Sequence, residues 1–155
     1  MIQMQEQVQQ QDIKSDDKCI FCKIVKGDIP CAKIFEDDCV LSFLDIAPAN
    51  KGHALIITKN HYETLLDMPD ECLNDLMVKA KKIARAMHSA LANEGFNILM
   101  NNGKAAGQLV EHVHMHIIPR HNADDFNLNW THKEYGQGEA EQTAAKIREK
   151  IKRKF

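Results

Sequence analysis

At 155 residues, with 44% hydrophobic and 27% charged side chains, the chain has the length for one domain with a sizeable core and the composition of an ordinary globular protein. Its formal net charge of -2 gives no electrostatic footprint for nucleic acid, no run of 18 apolar residues offers a membrane span, and the polar, Gln-rich start is not a signal peptide. A cytoplasmic protein is expected, and five cysteines, an odd number, fit reduced thiols better than a disulfide framework.

Residues 1–18 are polar and without periodicity, so they read as a flexible arm ahead of a single domain over 19–155. Cys19-Ile20-Phe21-Cys22 comes next. Two thiolates at this spacing can bind one tetrahedral Zn2+, or the pair is simply two free thiols. A thioredoxin-like redox pair would need a preceding strand, and the arm supplies none. Ile20, Phe21, Ile24 and Val25 form a short amphipathic turn closed by Gly27-Asp28-Ile29-Pro30. Alternating stretches at 32–36 and 40–45, joined by Asp37-Asp38, predict a β-hairpin, and 54–58 a third strand. Cys31, Cys39 and Cys72 have no partner spacing and are expected as small core or boundary residues.

Over 69–94 the apolar period becomes helical, with Leu73, Leu76, Met77, Ala80, Ile83, Ala84, Met87 and Leu91 at spacings of three and four. Pro69 suits the first turn, Gly95 the C-terminal stop, and His88 the solvent face. Residues 96–101 return to extended character. The small residues of Asn102-Gly103-Lys104-Ala105-Ala106-Gly107-Gln108 make either a backbone anion cradle or a plain turn.

His112-Val113-His114-Met115-His116-Ile117-Ile118 makes sense only as a strand. Side chains there alternate between faces at ~3.3 Å per residue, which sets three imidazoles in a row and sends Val113, Met115 and Ile117 into a core. Pro119, lacking an N–H, is expected to end the ladder. Beyond Arg120 a polar segment with Trp130 leads to a helix from about 138 to 152, striped by Ala140, Ala144, Ile147 and Ile151. The basic run over 146–154 reads as a solvated helix face. Three chemistries fit the histidine row: three-imidazole zinc hydrolysis, a histidine nucleophile acting on phosphorus beside the phosphate-holding loop, or a non-catalytic nucleotide site with the same pocket.

The histidine stretch resembles the histidine-triad (HIT) signature, His-φ-His-φ-His-φ-φ with φ hydrophobic. The loop Asn101–Gln108 resembles the family's phosphate loop. Cys19–Ile24, Asp28–Pro30, Phe43–Ile46 and Lys51–Ile57 resemble its N-terminal half, in the same order, so the likeness covers about residues 19–120 and is nearest the Hint branch and its bacterial relatives. It implies an α+β fold, a five-stranded antiparallel sheet with a long helix and a C-terminal helix, paired into a homodimer. It implies purine nucleotides with a leaving group on the α-phosphate, phosphoramidates above all, cleaved through a nucleotidyl-histidine. Dinucleoside polyphosphate hydrolysis and a mainly binding role are the alternatives.

By matching positions, the resemblance makes His114 the nucleophile, His116 a phosphate contact, His112 the residue that orients His114, and His53 a fourth, supporting histidine. Asp45 would take the ribose hydroxyls, Asn101, Gly107, Gln108 and Leu109 the phosphate, and Ile20, Phe21, Ile24, Ile29 and Phe43 the base. Leu109 departs from the Ser or Thr common there, supplies only its backbone N–H, and implies slow turnover. In bacterial relatives Cys19, Cys22, His61 and His112 would together hold a structural Zn.

Overall fold

The computed structural model describes residues 13–129 and 131–152; the first twelve residues of the expected arm and Trp130 lie outside them. Among the described residues the helices are α1 (Ile20–Lys26), α2 (Asp70–Leu91) and α3 (Glu139–Lys152). The strands are β1 (Lys33–Glu36), β2 (Val40–Leu44), β3 (Ala54–Thr58), β4 (Gly95–Leu99) and β5 (His114–Arg120). They form one antiparallel sheet in the order β1-β2-β3-β5-β4. The fold is thus the expected α+β, with a five-stranded sheet, a long helix and a C-terminal helix. Among the described residues no helix is long and apolar enough to cross a membrane.

Strand periodicity sorts the side chains onto two buried faces. On one, Val40, Ala54, Ile56, Val113, Met115 and Ile117 meet Leu76, Ala80, Ile83, Ala84 and Met87 of α2. Each large aliphatic side chain so buried contributes about 1.5–3 kcal/mol. The opposite face carries Leu41, Phe43, Leu55 and Ile57, covered by Cys19, Phe21 and Cys22 at and beside α1. His114 and His116 stand opposite Ile57 and Leu55 and share this second face. The α2 packing therefore holds the sheet from behind while the other side presents the histidines.

Several boundaries differ from the expectation, each for a local reason. β5 starts at His114 and not at His112, because the N–H groups of His112 and Val113 bond to the carbonyls of Val110 and Tyr62 instead of a ladder partner. Pro119 does not end the ladder; it pairs with Phe96 of β4. Its carbonyl accepts from Asn50 Nδ2 at 2.9 Å on the side where β3 has already ended, so its missing N–H deprives no strand. Pro69 is the N-cap of α2 rather than a first-turn residue. The helix closes three residues before Gly95, at Ala92 in a left-handed conformation (φ 49°), and Gly95 opens β4.

The β1–β2 turn is an Asx turn, with Asp37 Oδ1 accepting from the N–H groups of Cys39 and Val40 at 2.9 Å each. It leaves Cys39 exposed, contrary to its expected core or boundary place, while Cys31 and Cys72 are half-buried. The described part of the arm is tied to the body. Lys14 N–H donates to Asn60 Oδ1 at 2.7 Å, and its carbonyl accepts from His61 N–H at 2.8 Å.

Candidate active site

Two neighbouring clusters emerge on the second face of the sheet, joined by His112. In the first, Cys19 and Cys22 at the start of α1, His61 after β3 and His112 before β5 bring one ligand atom each to within 4.8 Å of one another, all buried. His112 Nδ1 lies 3.4 Å from Cys19 Sγ, and His61 Nδ1 3.3 Å from Cys22 Sγ. The His112 ring donates from Nε2 to the Thr58 carbonyl at 2.8 Å, which leaves Nδ1 bare toward the sulfurs. Asp16 N–H points at Cys22 Sγ at 3.4 Å. Burial pushes the Cys19 thiol above its ordinary value, so a cation there would have to displace a proton. Two sulfurs and two imidazole nitrogens supply the four donors that a tetrahedral thiophilic cation requires, and the residues fit such an ion.

In the second cluster, His114 donates from Nδ1 to the backbone carbonyl of His112 at 2.6 Å. That bond places the lone pair on Nε2. The orientation assigned to His112 thus resides in its carbonyl, while its ring is turned to the cysteines. Phe21 packs edge-on against His114, with ring centroids 5.2 Å apart. Burial holds the His114 imidazole below its ordinary value, so the ring is neutral near pH 7.

His53 and His116 are ordered by a chain of donors. Ala49 N–H donates to His53 Nδ1 at 3.1 Å, which places the His53 proton on Nε2. That proton points at His116 Nδ1, 2.9 Å away, and so the His116 proton sits on its own Nε2. Burial first, then the neighbouring His114 and His53, push His116 down to about 4. Asp45 Oδ2 is 3.7 Å from His53 Nε2, and Oδ1 accepts from Ala47 N–H at 2.9 Å. Asp45, His53 and His116 also bring donor atoms within 4.8 Å. A metal at this second group would have to expel the proton that Ala49 holds on His53. Among the described residues, His112, His114 and His116 do not gather around one point, which removes the three-histidine metal hydrolase.

The remaining expected residues are placed unevenly. Phe21 and Phe43 meet edge to face at 5.9 Å within the buried cluster and Ile24 packs against it, whereas Ile20 is exposed and Ile29 half-buried outside it. The loop expected to hold phosphate is a 3-10 turn, Lys104–Ala106, between Gly103 and Gly107, both at positive φ. Gln108 shapes this loop: its Oε1 accepts from Gly103 N–H at 2.6 Å, and its Nε2 donates to the carbonyls of Glu63 and Val110. Its backbone N–H bonds to the Gly103 carbonyl as well. Asn101 makes only a long 3.5 Å bond to the Gly107 carbonyl, and the Leu109 side chain is 93% exposed. What a side-chain reading missed is the backbone: the Ala49 N–H and the carbonyls of Thr58 and His112. The Arg120/Asp124 pair beside them had a sequence signal, opposite charges four residues apart.

The family model for the HIT domain matches residues 26–123. An adenosine 5'-monophosphoramidase of Schizosaccharomyces pombe is 44% identical over 135 residues, covering 86% of this chain and 98% of that protein. A Streptococcus mutans protein of known structure superposes with a TM-score of 0.84 at 42% identity, over 88% of this chain and 87% of that one. A Zn-bound histidine triad family protein from Mycobacterium smegmatis superposes with a TM-score of 0.68 at 38% identity, over 82% and 96%.

Proposed function

The chain belongs to the HIT domain family, and from that premise we propose that it is a nucleoside phosphoramidase acting at the α-phosphate of purine nucleotides. It is a nucleotide-binding hydrolase that works through a nucleotidyl-histidine. The observation that supports the residue assignment is the 2.6 Å bond from His114 Nδ1 to the His112 carbonyl, which keeps a lone pair on Nε2 of a neutral ring.

His114 Nε2 attacks phosphorus, the P–N bond breaks, and the departing amine keeps the bonding electron pair and takes up a proton from solvent. Water then attacks the phosphorus of the nucleotidyl-histidine and gives a proton to solvent, the P–Nε2 bond breaks with its electron pair returning to Nε2, and nucleoside monophosphate leaves neutral His114. His116 Nε2–H donates to a non-bridging oxygen as negative charge builds there. His53 holds that proton in place. Asp45 Oδ2 receives the ribose hydroxyls, Phe21, Phe43, Ile24, Ile20 and Ile29 border the base, and Asn101, Gly107 and the Leu109 N–H face the phosphate. Gln108 acts by shaping the loop. With no hydroxyl at Leu109, turnover is slow.

Zn at Cys19, Cys22, His61 and His112 would be structural, since four protein ligands leave no open position for water. Its support is the donor set and the Zn-bound relative. Thiol ligands persist in a reducing compartment, which fits a cytoplasmic site for a chain whose five cysteines are all free.

The test is a steady-state panel of adenosine phosphoramidate, diadenosine polyphosphate and adenosine 5'-phosphosulfate, with acid-labile adducts trapped by quenching and mapped by peptide mass. The phosphoramidate is expected to turn over fastest with the adduct on His114. Faster cleavage of the diadenosine compound, or tight nucleotide binding without turnover, would overturn the proposal.

A further inference from the structure

The turn between β2 and β3 carries the N–H that orders His53 and His116, and few bonds hold that turn. Internally it is closed by Asp45 N–H to the His53 carbonyl and His53 N–H to the Asn50 carbonyl, both at 2.9 Å. Besides the His53–His116 bond itself, the described hydrogen bonds from this turn to other elements come from the Asn50 side chain. Asn50 Nδ2 reaches the Pro119 carbonyl and Asp124 Oδ2, each at 2.9 Å.

Asp124 is a rigid acceptor. Its side chain is 7% exposed, Arg120 grips it from Nε at 2.8 Å and Nη2 at 2.7 Å, and His121 N–H adds a third donor at 2.9 Å. Arg120 is itself fixed to Asn97 Oδ1 and the Phe126 carbonyl, both at 2.6 Å. Two parallel N–H···O bonds lock orientation as well as position. Arg120 and His116 lie on the same strand, so the contacts close a ring from β5 through Arg120, Asp124, Asn50, Ala49 and His53 back to His116 on β5.

We propose that Asn50, braced by Asp124 and Arg120, is a positioning residue of the reaction: it holds the turn whose Ala49 N–H keeps the ring protons of His53 and His116 on Nε2. Without that N–H, His53 is free to carry its proton on Nδ1 and offer a bare Nε2 to His116. His116 would then turn its own proton inward and face the phosphate oxygens with a lone pair, where the transition state needs a donor. Loss of one such donor costs on the order of a hundredfold in rate, and a partial shift of tautomer about tenfold.

The role as a positioning residue rests on the proposed phosphoramidase reading, whereas the tautomers can be read without any substrate. The experiment uses full-length protein labelled with 15N on histidine, with tautomers assigned from ring N–H correlations, beside kinetics on adenosine phosphoramidate. In wild type both His53 and His116 are expected to carry the proton on Nε2. Asn50→Ala should shift His53 toward the Nδ1–H form and lower kcat about tenfold with KM within about twofold. Asp124→Asn, which keeps an acceptor but loosens the Arg120 grip, should shift both readouts less.

Three results would overturn the inference: a wild-type His53 protonated on Nδ1, unchanged tautomers and kcat in Asn50→Ala, or lost kcat with unchanged tautomers, which marks a purely structural anchor. Should Asn50→Ala not fold, the wild-type spectrum and Asp124→Asn decide. A wild type with no phosphoramidase activity but the expected tautomers would sink the proposed function and leave the proton placement standing.

Discussion

His112 faces two ways, and its two halves act on different clusters. The ring, tethered at Nε2 by the Thr58 carbonyl, belongs with the cysteines; the carbonyl, bonded to His114 Nδ1, belongs with the proposed nucleophile. Replacing His114 by Asn should therefore lower kcat by about a thousandfold or more while nucleotide affinity stays near wild type, measured by single-turnover kinetics and calorimetry. His116→Asn should leave a measurable reaction about a hundredfold slower, because it removes a donor and not the attacking atom. A His114→Asn enzyme with wild-type kcat would refute the assignment.

The pH behaviour follows from the same residues. His116 sits at about 4 when folded, against roughly 6.5 when unfolded. Between those values the unfolded chain binds more protons than the native one, so this contribution to stability is intact above about pH 6.5 and is lost as pH falls through about 4. Denaturant melts at pH 7.5, 5.5 and 4.5 should show the midpoint falling with pH, and the fall should be smaller in His116→Asn.

At the scale of elements, α1 is a seven-residue helix, too short to be stable alone, that depends on tertiary packing. Its N-cap Cys19 makes no side-chain capping bond, and Phe21 and Cys22 are its buried residues. A cation held by Cys19, Cys22, His61 and His112 would cross-link α1, the segment after β3 and the approach to β5. Protein purified without added metal should carry about one Zn per chain by elemental analysis. Cys19→Ser should lower the melting temperature by several degrees while the kcat of protein still folded at 25 °C changes by less than about threefold. Metal-free unstripped protein would remove the zinc proposal.

At the scale of the molecule, α2 covers the sheet with one face and leaves Met77 at 47%, Val78 at 66% and Leu91 at 42% exposure on others. β4 is an edge strand whose Phe96 is 47% exposed. From these exposed apolar side chains and the unpaired edge of β4 we propose a two-fold, isologous homodimer through α2 and β4. Sedimentation at micromolar concentration should give a dimer, and Val78→Glu should shift it to monomer without unfolding the chain. A wild-type monomer under those conditions would contradict the pairing.

Local pattern carried much of this to the surface of the sequence. Period two at 112–118 placed His114 and His116 on one face and Val113, Met115 and Ile117 on the other, since side-chain direction in extended backbone depends only on parity. The three-four spacing within 69–94 likewise marked Leu76, Ala80, Ile83, Ala84 and Met87 as the buried stripe of α2. Motif order and spacing sufficed for the family. The ends of β5 and α2 were not legible, because they depend on which distant groups satisfy the backbone: Tyr62 for Val113, Asn50 for Pro119, and a left-handed Ala92.

The same is true of proton placement in the site. A sequence names imidazoles, but a backbone carbonyl or N–H decides which nitrogen of each ring carries the proton, and every residue carries a carbonyl and every residue but proline an N–H. The tertiary structure brings Thr58 to His112 and Asp124 to Asn50, and it holds the local backbone conformation in which the His112 carbonyl meets His114 and the Ala49 N–H meets His53.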